Sequence, residues 1–229
     1  MSSFRRLVAL AVLPPVLVFG VLIARSMSAY PGGTWEEPTA AGHSQVRNFL
    51  CDLTRPTALN GVPNEAGSQY AELGLLAYAV ALIPFFLIMP AVFPDRRRTG
   101  RVAAIAGVIA GIGGVGIVMV PSYRFGAMPH GVAVLLTAIP GLTAAVAATL
   151  GVFTTQRSIR PIRAAAMATL LVTAAAVVMF AIQLARGVET TPGLPVLEKL
   201  AMGCSIAWML LTVAAVYPAP AAPVSHFHP

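Results

Sequence analysis

Charge is what this chain has least of. Acidic and basic residues together make up 10% of its 229 positions, against roughly 25% in a soluble domain. So few charges cannot form a solvated skin over a soluble core of this size. Cysteine is equally scarce. Cys51 and Cys204 form no C-x-x-C pair, which excludes a cysteine-rich zinc module and a disulfide scaffold. The glycine-rich run VAAIAGVIAGIGGVGIVMV has no Lys-Ser/Thr after it and no strand before it, so it is not a phosphate loop. No Asn-x-Ser/Thr glycosylation signal occurs. The formal net charge is +7, but the arginines fall in short clusters between apolar runs. That is the pattern of membrane loops rather than of a nucleic-acid face, and no nucleic-acid partner is expected.

What is abundant is apolar residue, 57% of the chain. A spanning helix needs about 20 mostly apolar residues. Six segments qualify, at about 7–24, 71–93, 102–120, 131–153, 164–185 and 197–217. Residues 1–217 therefore read as an all-α, polytopic membrane helix bundle, and 218–229 as a disordered Pro/Ala-rich tail. The first segment is longer than the apolar region of a secretory signal and is followed directly by Arg25, so it reads as an uncleaved anchor, kinked at Pro14 and Pro15. Gly107 and Gly111 in the third span, and Thr137, Gly141, Ala145 and Thr149 in the fourth, form small-residue stripes for close helix packing.

Orientation follows from the arginines. Arg96, Arg97, Arg98, Arg101, Arg157, Arg160 and Arg163 lie in short loops on the side of the N-terminus, whereas the short loops opposite hold Arg124, Arg186 and Lys199. The positive-inside rule then places both termini in the cytoplasm and the long loop, about 25–70, outside. The Arg clusters set topology and meet lipid head groups.

That loop is the unusual stretch. Ser44 to Leu53 suggests a short helix with Ser44 as N-cap, on which Asn48 and Asp52 share a face. Arg47 or Arg55 can pair with Asp52. Tyr30 and Trp35 suit interfacial anchoring. With the loop outside, His43, Asn48, Asp52, Asn60, Glu72, His130 and Gln183 gather at one end of the bundle and form the candidate ligand-binding set, with Glu36, Glu37 and Glu198 nearby. Ionisable groups near a membrane are costly unless they pair or face water, so such a gathering is the best address for a site. No two of His43, Asp52, Glu72 and His130 have ligand spacing along one helix, and local hydrogen bonding is expected of them rather than metal binding. His43-Ser44 with Asp52 invites a hydrolase triad, but helical neighbours do not face each other. His226 and His228 fall on the opposite side, in the tail. A Cys51–Cys204 disulfide requires the loop to dip into the bundle.

At Gly32-Gly33-Thr34, His43-Ser44, Asn48-Phe49-Leu50-Cys51-Asp52-Leu53 and Ala58-Leu59-Asn60-Gly61, the chain resembles a group of bacterial six-helix integral membrane proteins of unknown function. More distantly it is similar to DRAM/FRAG-type membrane proteins. The likeness covers about 30–75, implies fold and location, and singles out Asn48, Asp52 and Asn60. A weaker comparison is with alkaline-ceramidase-like hydrolases, whose zinc-binding histidines lie on late helices. The fourth to sixth spans here contain no internal His. The reading is a multi-pass inner (plasma) membrane protein with no cofactor, metal or catalytic residue. Membrane lipids surround it, and a lipid or small amphiphile is its expected ligand at the extracytoplasmic face. A lipid-directed hydrolase using His43, Asp52 and His130, or a small-molecule transporter, are the alternatives.

Overall fold

Proline decides where the first span breaks. Helix α1 covers Ser3–Leu10 and α2 covers Leu13–Ala29, with Pro14 and Pro15 in the first turn of α2. A proline there lacks an N–H that would be unbonded anyway, whereas it cannot bond back into α1. The computed structural model describes residues 3–155 and 160–216; the tail, with His226 and His228, and Arg157 lie outside the described residues.

After α2 the chain runs irregularly from Tyr30 to Asn64, apart from a 3-10 turn at Leu50–Thr54. Helix α3, Glu65–Leu87, is followed by the single turn α4, Met89–Val92, where Pro90 ends the regular ladder. Next come α5, Arg97–Met119, the short α6, Ser122–Phe125, α7, Ala127–Thr154, α8, Arg160–Arg186, and α9, Leu194–Val216. Among the described residues no strand forms; Gly32 with Ala41 and Thr57 with Pro63 make isolated bridges. Six helical segments are long and apolar enough to cross a membrane: Arg6–Ala29, Glu65–Val92, Pro94–Met119, Ala127–Thr154, Arg160–Arg186 and Leu194–Val216. They extend beyond the apolar windows because polar residues at their ends, such as Glu65, Gln69 and Arg160, continue the helix. The loop correspondingly shrinks at both ends.

Packing relies on small residues, since lipid supplies no hydrophobic push between helices. Helix α5 lies against α3 and α7. A β-carbon at Gly107 would stand 2.0 Å from the Phe86 ring, and one at Gly111 would stand 2.7 Å from Ile83. Gly113 faces Thr137 of the α7 stripe, and Gly151 receives Phe93. The outside is covered by large apolar side chains, among them Leu17, Leu73, Ile105, Ile112, Leu136 and Leu171, which suit lipid and not water.

Two packed centres result. One, towards the arginine-rich end, gathers Phe85, Phe86, Phe93, Met89, Trp208 and Met209. The other, beneath the loop, gathers Phe19, Ile23, Tyr30, Leu50, Leu53 and Ala58. Tyr78 and Ile206 border both. On the side of α7, α8 and α9 the loop end is not filled, and this is where the cavity lies.

Candidate functional site

The loop is held by its own short polar side chains. Asn48 is completely buried. Its Oδ1 accepts the Ser44 N–H at 2.9 Å, and its Nδ2 donates to the Gly33 carbonyl at 2.9 Å and to Asp52 Oδ2 at 3.4 Å. Asp52 Oδ2 also accepts the Phe49 N–H at 2.8 Å, and Oδ1 accepts the Trp35 Nε1–H at 3.0 Å. Asn64 Nδ2 donates to the Leu53 and Arg55 carbonyls at 3.1 and 2.9 Å. Gly33 has φ +89°, and a β-carbon there would lie 2.3 Å from the Asn60 nitrogen, so only glycine lets these two strands of loop approach.

These bonds replace the expected helix over Ser44–Leu53. Ser44 Oγ does accept the Arg47 N–H, at 3.2 Å, but only a turn over Gln45–Arg47 and the 3-10 turn follow. Asn48 and Asp52 side chains occupy backbone N–H groups, offering the chain an alternative to the helical ladder. Other expectations change as well. Arg47 pairs with Glu37 at 2.8 Å and with Glu36 at 3.6 Å, not with Asp52. Arg55 lies over the Trp35 ring at 5.5 Å instead of against the carboxylate. Tyr30 is buried and is no interfacial anchor: its hydroxyl accepts the Leu59 N–H at 3.2 Å. Trp35 turns inward to Asp52. Cys51 and Cys204 are both free thiols.

Helix α9 receives the loop. Glu198 Oε2 accepts the Leu50 N–H at 2.9 Å, and Lys199 Nζ donates to the Asn48 carbonyl and, at 3.2 Å, to that of Pro195. Two consecutive residues of opposite charge thus clamp the loop at two points, on either side of Phe49.

Under this clamp lies a cavity of about 380 Å³ between α3, α5, α7, α8, α9 and the loop. Its walls are mostly apolar, including Val134, Leu135, Ala138, Ala176, Val177 and Phe180. Asp52, Glu189, Glu198, His130 and Gln183 line its loop end. Tyr78 lines it deeper, where its hydroxyl meets Ser205 Oγ at 2.6 Å and ties α3 to α9.

Of the seven residues singled out, Asp52, His130 and Gln183 reach this cavity. Asn48 sits behind it as the centre of the loop. Asn60 closes a turn, its Oδ1 accepting the Val62 N–H at 3.1 Å. Glu72 faces α6, accepting the Tyr123 hydroxyl at 3.2 Å. His43 packs edge-on to Tyr30, with ring centroids 6.2 Å apart. His43, Asp52 and His130 therefore do not meet around one cavity, and among the described residues no three His, Cys, Asp or Glu side chains cluster as metal ligands. Sequence reasoning passed over Trp35, Phe49, Cys51 and Glu198 as lining residues. Glu198 carried a signal: with Lys199 it makes the only charged pair of the sixth span.

The electrostatics limit the chemistry. Burial pushes the Asp52 carboxyl above its usual range, while the Phe49, Trp35 and Asn48 bonds and the charge of Arg55 pull it back. Burial pushes the Cys51 thiol well up, and Glu198 and Asp52 push it further. It stays protonated and is a poor nucleophile. Burial, with some help from Lys199, lowers His43 to about 4, and neither ring nitrogen has a protein partner. The unfolded chain then binds this proton at about 6.5 and the folded one only near 4, so stability is full above the first value and is lost as pH falls through the second. The whole shift corresponds to about 3 kcal/mol; discounted for partial exposure, the loss is on the order of 1–2 kcal/mol. Asp52, shifted upward, opposes it. Unfolding of the unchanged chain and of His43→Gln between pH 7 and 4 isolates the His43 share: the variant should lose about 1–2 kcal/mol less.

Compared with family models, with curated proteins and with solved structures, the chain matches none. The fold alone defines the class. Six candidate spans in an all-helical chain make this a multi-pass membrane protein.

Proposed function

We propose that this protein is a non-catalytic binder of a single-chain lipid or small amphiphile, held beneath the loop. The observation that carries the reading is the cavity: about 380 Å³ of mainly apolar space with its acidic, imidazole and amide side chains at the loop end and only the hydroxyls of Tyr78, Thr137 and Thr173 deeper. Small-molecule sites have this size and this division of walls and polar groups. The volume lies at the small end of the range of such sites, which favours one acyl chain over two.

The proposed setting is a bacterial inner (plasma) membrane, both termini cytoplasmic and the loop outside, on the arginine asymmetry and the resemblance of residues 30–75. Gln45, exposed in the loop, tests the orientation. Gln45→Cys should react with a membrane-impermeant maleimide in intact cells, above the level of the unchanged chain; reaction only after lysis would reverse the topology.

Native mass spectrometry of protein released from nanodiscs tests the binding. A retained single-chain adduct is expected, and Ala176→Phe, which fills the cavity wall, should abolish it. An adduct unaffected by Ala176→Phe, or none in the unchanged chain, would overturn the reading. Transport is the competing outcome, visible as uptake by proteoliposomes.

A further inference from the structure

The polar end of the cavity is acceptor-rich, with Ser122 and the Cys51 thiol as its small donors. Gln183 is 6% exposed, and its Nε2 donates to the Glu189 carbonyl at 3.1 Å. Gln183 lines the cavity, and its Oε1 is buried with no hydrogen-bond partner among the described residues. A buried amide oxygen left unbonded costs about 1–3 kcal/mol, so it calls for a donor from whatever fills the space. His130 Nδ1 lies 2.7 Å from the Val120 carbonyl. A carbonyl only accepts, so Nδ1 carries a proton. Asp52 and Glu198 add two carboxyl groups, each already accepting a loop N–H, while Glu189 offers its backbone carbonyl and is itself exposed. Among the described residues no lysine or arginine lines the cavity. Lys199, the nearest such charge on α9, is turned to the Asn48 and Pro195 carbonyls.

Acceptors therefore converge where a head group would sit, and the cations near them, Arg55 beside Asp52 and Lys199 beside Glu198, stay outside the lining. A phosphate or sulfate would meet carboxylates with no cation of the lining to pair it. A hydroxyl brings one donor. An ammonium brings three donors and a complementary charge. Resting on the amphiphile reading above, we propose that the ligand is a long-chain primary amine without phosphate, its ammonium donating to Gln183 Oε1 and to the carboxylates of Glu198 and Asp52.

The test uses the full chain in nanodiscs of uncharged net lipid. The readout is tryptophan quenching by twelve-carbon chains brominated near the tail, corrected for partition into protein-free discs. Trp35 lines the cavity, and Trp208 lies on α9 beyond it. The primary amine should quench at least tenfold more tightly than the alcohol, the sulfate, the lyso-phosphatidylethanolamine and the trimethylammonium compound, which keeps the charge but has no N–H. Gln183→Leu should bring the amine to within about threefold of the alcohol. Equal binding of all head groups by the unchanged chain would overturn the amine assignment and leave the amphiphile site standing. Quenching by none above the disc background would remove both. Tighter binding of the trimethylammonium compound would overturn the donor argument specifically. The head-group series needs no variant, so a Gln183→Leu chain that fails to fold does not weaken it.

Discussion

Asn48→Asp will undo the loop at neutral pH, although the two side chains have nearly the same shape. Asn48 gives two N–H donors, to the Gly33 carbonyl at 2.9 Å and to Asp52 at 3.4 Å, and it has no exposure to water. An aspartate keeps the acceptor for Ser44 but points its second oxygen at a carbonyl and at a carboxylate. Lost bonds to buried groups cost about 1–3 kcal/mol each, and an uncompensated buried charge about 3–5 kcal/mol. The terms overlap, so the expected loss is about 3–5 kcal/mol, seen as unfolding in detergent at lower denaturant and as rapid proteolysis within residues 36–62. Asn48→Ala, which leaves no misplaced charge, should cost about 2 kcal/mol. The sign of the pH effect is distinctive. The new carboxyl, facing acceptors, holds its proton more tightly in the folded chain than in the unfolded one. Once protonated it regains a donor, so the deficit shrinks as pH falls towards 4. A variant as stable as the unchanged chain at pH 7 would show that Asn48 does not hold the loop.

This dependence explains which parts of the molecule were legible in the sequence. The six spans were readable because hydropathy summed over some twenty residues swamps local detail. Their ends were not: nothing apolar marks Glu65 or Arg160 as helical, yet both continue helices. Within the loop, residue types were informative and directions were not. Asp52, His130 and Gln183 come from three separate elements and share a cavity, whereas His43 and Glu72, equally polar and equally near the same end, turn elsewhere. The difference lies in contacts made across the chain, such as the Glu198 bond to Leu50, 148 residues away. Trp35 shows the limit most clearly. An indole beside a membrane is by default an interfacial anchor, and only the placed Asp52 carboxylate turns it inward. The helix expected from Ser44 onward fails for a reason partly visible beforehand: asparagine and aspartate compete for backbone N–H groups.

Trp208→Ala should give the largest loss outside the loop, and it tests how the bundle closes behind the cavity. Trp208 is 1% exposed and meets Phe85 and Phe86 edge-on, at 5.1 and 6.4 Å between ring centroids. It lies one turn along α9 from Ser205, whose bond to Tyr78 marks the deep end of the cavity. Lipid is as apolar as the ring, so what alanine forfeits is packing rather than hydration. Truncating a buried Trp costs about 3–5 kcal/mol where the surroundings cannot collapse. Collapse is hindered here because Phe86 is seated against Gly107 of α5. Among the described residues the indole nitrogen has no hydrogen-bond partner, so Trp208→Phe sacrifices volume alone and should cost only about 1 kcal/mol. Leu171→Ala, on the exposed face of α8, should change stability by less than about 0.5 kcal/mol. Unfolding of the three variants in one detergent measures the order. A Trp208→Ala loss no larger than that of Leu171→Ala would mean the aromatic cluster is not what joins α3 to α9.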